Sequence, residues 1–317
     1  MGVMGQNHAR VLTELDEFEL IGVFDPFIES PPTIYKNFLM PDLNALLQLQ
    51  PEYCVVASPT SNHFQVAEMM IKANVNILIE KPVTFNTEES HKLQFVLANS
   101  NIKAAVGHIE RFNPALITLR EKLNEQFLGL VFSVSTFREG PHPTRIQDVG
   151  VIKDLAIHDF DIVHWLFAAK YRWLKSATTG LPNHLFEDHL IAVGQLENGI
   201  SVSHSVNWIS PVKRRTITVL GQKGALVADL SLGDLTFFEN GVFPSEWDSL
   251  NRIKGSIEGN VHKFEINKIE PLKTEHKEFY SYLMNKGKTQ LASLADGHYA
   301  LSVAEKLILQ GQLDNSF

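Results

Sequence analysis

The sequence predicts an α/β chain in two parts, a doubly wound parallel sheet followed by an α+β domain with a large, open-faced, mostly antiparallel sheet. Two observations carry this. Over the first hundred residues short β-rich runs alternate with helix-like segments, the pattern of βαβ units. From about residue 130 the runs become long and alternate apolar with polar, as in a sheet with one covered face. The expected division is 1–107 and 108–317, the second part including the C-terminal helices.

The elements follow in order. A glycine turn, Gly2-Val3-Met4-Gly5, leads into a helix from Gln6 or Asn7 to Leu15. Phe18–Phe24 reads as a strand ending at Asp25-Pro26, Leu43–Leu49 as a helix, and Tyr53–Ala57 as a strand running into Ser58-Pro59-Thr60-Ser61-Asn62. Phe64–Ala73 is helical, with Val66, Met69, Met70 and Ala73 on one face. Asn76–Ile79 is a strand, Thr87–Ala98 a helix with Asn86 or Thr87 as N-cap, and Lys103–Gly107 a strand. Pro114 suits the first position of a helix running to Asn124. Strands are expected at Leu130–Arg138, Leu185–Leu196, Ile200–Trp208, Thr216–Leu220, Ala225–Asp229 and Leu235–Glu239. Helices are expected at Val149–Phe167, Thr274–Leu283 and Ser293–Gln310. Lys213-Arg214-Arg215 reads as a solvated strand edge or a subunit contact.

A hydrophobic share of 44% against 20% charged residues supports a proper core and argues against disorder. A net charge of −8 argues against nucleic acid or an anionic membrane as the main partner. The single cysteine, Cys54, has no internal disulfide partner and lies in an apolar run, so a core position is expected. With no apolar run of transmembrane length and no secretory leader, a cytoplasmic protein is expected.

Three places carry chemistry. At the first, Gly2 and Gly5 precede a helix, and Asp25 follows about twenty residues later. Free N–H groups at a helix start hold a pyrophosphate and an acid at that distance takes ribose hydroxyls, so the pattern is that of a dinucleotide site, with NAD favoured over NADP. The first glycine of the G-x-G-x-x-G fingerprint would lie before Met1, and so would the preceding strand. The start of the chain is therefore expected to be misassigned or truncated by roughly ten residues, which an in-frame stop codon just upstream would refute.

At the second, Ile77-Leu78-Ile79-Glu80-Lys81-Pro82 ends a strand in an acid, a base and a proline. Ligands of open α/β sheets bind beyond the carboxyl ends of strands, where a lysine can reach them. The tight turn makes Lys81–Pro82 a candidate for a cis bond. At the third, Asp154 and His158 are i,i+4 neighbours, with Asp161 and Trp165 continuing the stripe. An imidazole beside a carboxylate is an acid/base pair near neutral pH, though a satisfied core histidine fits the spacing equally well. No metal is expected, since neither H-x-x-x-H nor a cysteine pair is present.

Together, Gly2/Gly5, Asp25, Ser58-Pro59-Thr60-Ser61-Asn62-His63, Glu80-Lys81-Pro82 and Asp154-x-x-x-His158-Asp159 resemble the Gfo/Idh/MocA oxidoreductases over nearly the whole chain. The resemblance implies a Rossmann-type domain joined to an open-sheet domain, and hydride transfer from a sugar carbinol to a nicotinamide. It implies cofactor contacts from Gly2, Gly5, Gln6, Asn7, Asp25, Ser58, Pro59, Thr60, Asn62, His63, Glu80 and Lys81. Lys81 and His158 would serve the reacting hydroxyl, either of them as base, with Asp154 positioning the sugar. The run Gly107–Pro114 is most similar to the branch acting on UDP-N-acetylhexosamines, implying oxidation at C3. A free-sugar or inositol dehydrogenase, or a non-catalytic ligand-binding regulator, stands as the alternative. Arg111, Asn113, Arg138 and Arg145 become candidates for the diphosphate or sugar hydroxyls, since guanidinium suits phosphate geometry. An open sheet face commonly packs against another subunit, so a homo-oligomer, dimer or tetramer, is expected.

Overall fold

The computed structural model describes residues 1–28, 33–143, 149–182, 184–241 and 258–314, and these fall into two compact units. The first comprises Met1–Ile109 and Glu270–Glu305, the second Glu110–Ile269 and Lys306–Phe317. The segment Glu270–Glu305, expected with the second domain, thus groups with the first.

The first unit is built on a parallel sheet in the order β1 (Tyr53–Val56), β2 (Asn76–Glu80), β3 (Ala104–Gly107). Ile77, Leu78, Ile79 and all of β3 are buried, as required of parallel strands covered on both faces. Its helices are α1 (Val3–Glu14), α2 (Leu43–Gln48), α3 (His63–Lys72) and α4 (Thr87–Ala98). Asn86 caps α4 by accepting from the Glu89 N–H. Phe18–Phe24 is not a strand: only Val23 bridges, to Leu39. A strand needs a ladder, and among the described residues this segment finds a single bridging partner. The chain returns through α7 (Pro271–Leu283) and α8, which starts at Leu294 and continues to Asp314. Leu272 packs with Val11 and Leu15 of α1.

The second unit holds an eight-stranded sheet with β4 (Val131–Pro141), β5 (Tyr171–Thr179), β6 (His189–Leu196), β7 (Ser201–Asn207), β8 (Ile209–Gly221), β9 (Gly224–Asp229), β10 (Asp234–Asn240) and β11 (Glu258–Lys263). Their order is β11-β10-β9-β8-β4-β7-β6-β5, antiparallel except for the β4/β7 pair. One face packs on α5 (Pro114–Asn124) and α6 (Ile157–Phe167), around Leu116, Leu119, Val134, Ile162, Ile217 and Leu226. On β6 the other face leaves Ile191 and Val193 about half exposed. Lys213, Arg214 and Arg215 lie in β8 alongside β4, just before the stretch Thr216–Gly221 that also pairs with β9. Arg215 pairs in register with Arg138, and the Arg214 guanidinium lies 3.8 Å from the Phe137 ring centroid.

Candidate active site

In the first unit Gly2 is the N-cap of α1 and offers no side chain to its first turn, which also lacks an acidic residue. The first N–H groups of the helix therefore have no side-chain cap. A Cβ on Gly2 would meet nothing within 4 Å, so the open volume there is room for a ligand and not a demand of packing. This free helix start is what a dinucleotide pyrophosphate requires. Gln6 is exposed and donates to the Met1 carbonyl; Asn7 is half-buried one residue on. Asp25 follows as predicted, but its carboxylate is engaged: Oδ1 accepts from the Phe27 N–H at 2.9 Å, and Oδ2 pairs with the Met1 ammonium.

Ser58, Pro59, Thr60 and Asn62 form the turn between β1 and α3, with Pro59 capping a single 3-10 turn over Thr60–Asn62. His63 is buried, with its ring between the Pro82 carbonyl at 2.8 Å and the Ser58 carbonyl at 2.9 Å. Expected as a cofactor contact, it ties this turn to the corner beyond β2. Burial lowers its imidazole below the ordinary value.

That corner holds Glu80-Lys81-Pro82, and the Lys81–Pro82 bond is cis. Lys81 is half-buried, immediately after the carboxyl end of β2. Glu80, expected as a cofactor contact, is buried and hydrogen-bonded within the first unit. Gly107 on β3 makes this possible, since a Cβ there would lie 3.2 Å from Glu80 Oε1. Glu80 Oε1 is 2.9 Å from His8 Nε2, His8 Nδ1 is 2.9 Å from His276 Nε2, and His276 Nδ1 is 3.1 Å from the Tyr53 hydroxyl. Burial alone would raise the Glu80 carboxyl, but the His8 hydrogen bond and the Lys81 charge hold it below its usual value. Desolvation pushes His276 down to about 3, so its ring is neutral. The ionised carboxylate can only accept, so His8 Nε2–H donates to Glu80, and the roles along His8, His276 and Tyr53 follow from the tautomers of the two rings. No pattern in the sequence signals His8 or His276, because the contacts span 72 and 268 positions. Cys54 on β1 is half-buried, and desolvation pushes its thiol up to about 12, so it is not a nucleophile at neutral pH.

In the second unit the predicted helix over 149–167 starts differently from expectation. Ile152–Ala156 is a π-helical turn leading into α6. Asp154 lies within that turn and His158 one residue into α6, so their i,i+4 spacing is not that of a regular α-helix. His158 is buried and Asp154 half-buried. Glu187 holds the start of the turn. Its carbonyl accepts from the Val151 N–H at 2.9 Å and its Oε1 from the Ile152 N–H at 3.1 Å. Gly150 leaves the space, since a Cβ there would lie 2.2 Å from Glu187 Oε1.

The residues expected to bind the substrate's diphosphate or hydroxyls are otherwise engaged. Arg111 is buried in a two-point ion pair with Asp161, Nε–Oδ2 2.8 Å and Nη2–Oδ1 2.5 Å. Arg138 points inward from β4; its Nε donates to Asp159 Oδ1 at 2.9 Å and its Nη1 to Glu110 Oε1 at 2.7 Å. Burial would raise Glu110, but Arg138 outweighs it and keeps the carboxyl ionised. Asn113 caps α5 through its Oδ1, and its Nδ2 donates to the Leu230 carbonyl at 2.9 Å. Arg138 ties β4 to α6, Arg111 ties the segment before α5 to α6, and Asn113 ties the start of α5 to the chain just past β9; strand alternation explains Arg138, since Val134, Thr136 and Arg138 all face the helices. Arg145 lies outside the described residues.

A helix start without a side-chain cap, a lysine just beyond a parallel strand and an Asp/His pair at the head of a second-unit helix are the elements expected of a dinucleotide-dependent oxidoreductase. Family models agree. Residues 1–108 match the oxidoreductase family with an NAD-binding Rossmann fold, and residues 116–227 match the GFO/IDH/MocA C-terminal domain. The chain belongs to the GFO/IDH/MocA oxidoreductase family. Among curated proteins it is 34% identical over 173 residues to UDP-N-acetylglucosamine 3-dehydrogenase of Acidithiobacillus ferrooxidans, covering 54% of this chain and 53% of the relative. It is 24% identical over 174 residues to an inositol 2-dehydrogenase of Rhizobium meliloti, covering 52% of each. In both alignments the chain spans about half the relative's length. Two solved structures share the fold: UDP-N-acetylglucosamine 3-dehydrogenase GnnA from Acidithiobacillus ferrooxidans (TM-score 0.83, 23% identity, covering 98% of this chain and 95% of that one) and GenD2 from gentamicin A biosynthesis in complex with NAD (TM-score 0.78, 20% identity, 98% and 92%).

Proposed function

We propose that the protein is an NAD-dependent dehydrogenase acting on a sugar carbinol, with a UDP-N-acetylhexosamine oxidised at C3 as the leading substrate. The carrying observation is that Lys81 stands at the carboxyl end of β2 and Asp154/His158 at the head of α6, in a chain matched by both family models. NAD, when bound, supplies the hydride acceptor. The first turn of α1 would hold its pyrophosphate through unpaired N–H groups. Oxidation of a carbinol also releases the hydroxyl proton, and His158 or Lys81 would take it. Asp154 would orient a sugar hydroxyl and favour a charged imidazole at that moment. The exposed Ile191 and Val193 support an oligomer formed through the open sheet face.

A cyclitol or free sugar is the second reading. It is favoured by the inositol dehydrogenase relatives and by the burial of Arg111 and Arg138, which removes two expected diphosphate ligands. NADH absorbance separates the readings. UDP-N-acetylglucosamine should yield NADH while glucose and myo-inositol do not, and the reverse preference would move the protein to the second reading. Binding of NAD with no turnover of any of the three would point to a regulator.

A further inference from the structure

We propose that His142, His184 and Asp188, in the second unit, bind one divalent transition-metal ion of the zinc class. One donor atom from each lies within 4.8 Å of the other two. Asp188 Oδ1 is 2.9 Å from His184 Nδ1 and 3.7 Å from His142 Nε2. With metal–ligand bonds of about 2.0–2.1 Å, tetrahedral geometry separates neighbouring donors by roughly 3.3 Å. The two carboxylate–imidazole separations fall on either side of that value, and no donor pair exceeds 4.8 Å, so side-chain rotations can bring the three donors onto a common ion. Two imidazoles and a carboxylate with a fourth position for water suit Zn²⁺, Co²⁺ or Ni²⁺. Calcium and magnesium, which take oxygen donors, are disfavoured.

The carboxylate is held as a ligand should be. Asp188 is 2% exposed. Its backbone N–H donates to the Thr179 carbonyl and its carbonyl accepts from the Trp208 N–H. Its Oδ2 accepts from the Leu181 N–H at 2.8 Å and lies 3.1 Å from His184 Nδ1, while Oδ1 faces both imidazoles. Such outer contacts orient metal ligands and preserve the geometry. The Trp208 ring packs edge-on against His142 at 5.2 Å between centroids. The two imidazoles keep 33% and 36% side-chain exposure, so an ion has access. Glu187, which caps the π turn bearing Asp154, immediately precedes Asp188. The ion would thus pin the loop between β5 and β6 beside the residue that starts that turn.

The test uses the full chain without a histidine tag, treated with chelator and then titrated with Co²⁺ and Zn²⁺. The expected result is a saturable visible absorption band at one Co²⁺ per chain, displaced by Zn²⁺, and a higher melting temperature in Zn²⁺. His184→Ala, on an exposed side chain, should weaken binding by about 100-fold or more, and His142→Ala by at least about 10-fold. Asp188→Asn keeps an acceptor for Leu181 and should also lose the band. Absence of a saturable band in the wild type, or a band that survives the His142→Ala/His184→Ala double variant, would overturn the proposal and leave the cluster a histidine–aspartate ion pair. Activity plays no part in these readouts, so failure of the dehydrogenase reading would leave them unchanged.

Discussion

Arg111→Ala separates a structural role from substrate binding. The Arg111 side chain is 4% exposed and that of Asp161 1%, and their two hydrogen bonds close a ring of the kind that recognises phosphate. Truncating the arginine strips both guanidinium contacts from a carboxylate enclosed by α6 and its neighbours. Breaking one side of such a buried pair costs about 3–5 kcal/mol. For a unit of this size, each kcal/mol moves the melting temperature by about 2–4 °C, so the second unit should melt about 6–20 °C lower. Replacing both partners by leucine should recover much of that loss, since an apolar pair of similar volume often matches a buried ion pair. Calorimetry on the wild type, the two single variants and the double variant measures the coupling directly. An Arg111→Ala protein that melts like the wild type but shows a raised KM for a nucleotide sugar would refute the reasoning and return Arg111 to the substrate.

Lys81→Ala and His158→Ala should each lower kcat by about 100-fold or more with the melting temperature retained, and wild-type turnover in either would remove that residue from the reaction. Glu275 in α7 is fully buried, and desolvation, aided by the charge of Glu80, raises its carboxyl well above the ordinary value. Its contribution to stability is therefore complete below about pH 4.5 and is lost as pH rises toward the folded value. Glu275→Gln should gain on the wild type with rising pH by up to about 1.4 kcal/mol per unit, and parallel stability–pH curves would disprove a buried acid. His204, enclosed between Thr136 and Tyr171, is pushed down to about 3 by desolvation. Its contribution is complete above about pH 6.5 and is lost between 6.5 and 3, so His204→Gln should flatten acid unfolding in that window. An unchanged acid slope would show that the ring is protonated in the folded state.

What the sequence made legible was local. The apolar run of β2 ending in Glu80-Lys81-Pro82 and the Asn113-Pro114 helix start are each contained in a few consecutive residues, and each lies where the pattern put it, whereas α1 already starts at Val3, so that Gly5 stands inside the helix and not in a turn before it. What escaped depends on partners far along the chain. Arg111 and Arg138 look like phosphate ligands until Asp161 and Asp159, 50 and 21 positions away, claim them. β5 was missed because Tyr171–Thr179 carries little apolar signal: its burial alternates only between exposed and half-buried. The π turn has no compositional mark at all; it is an irregularity of hydrogen bonding at Ile152–Ala156 that a helical periodicity reads straight through.

The return of Glu270–Glu305 to the first unit has a consequence during synthesis. Leu272, which packs with Val11 and Leu15, and His276, which completes the chain from Tyr53 to Glu80, leave the ribosome only after the whole second-unit stretch Glu110–Ile269. At about 5–20 residues per second, that stretch delays them by roughly 10–30 s. Until then His8 lacks His276 and α1 lacks Leu272, while all the strands of the second unit's sheet are already on the chain. Protection of the nascent N-terminal region by chaperones, and the failure of a fragment cut at residue 109 to stay in solution, are the cellular signatures this order of assembly would leave.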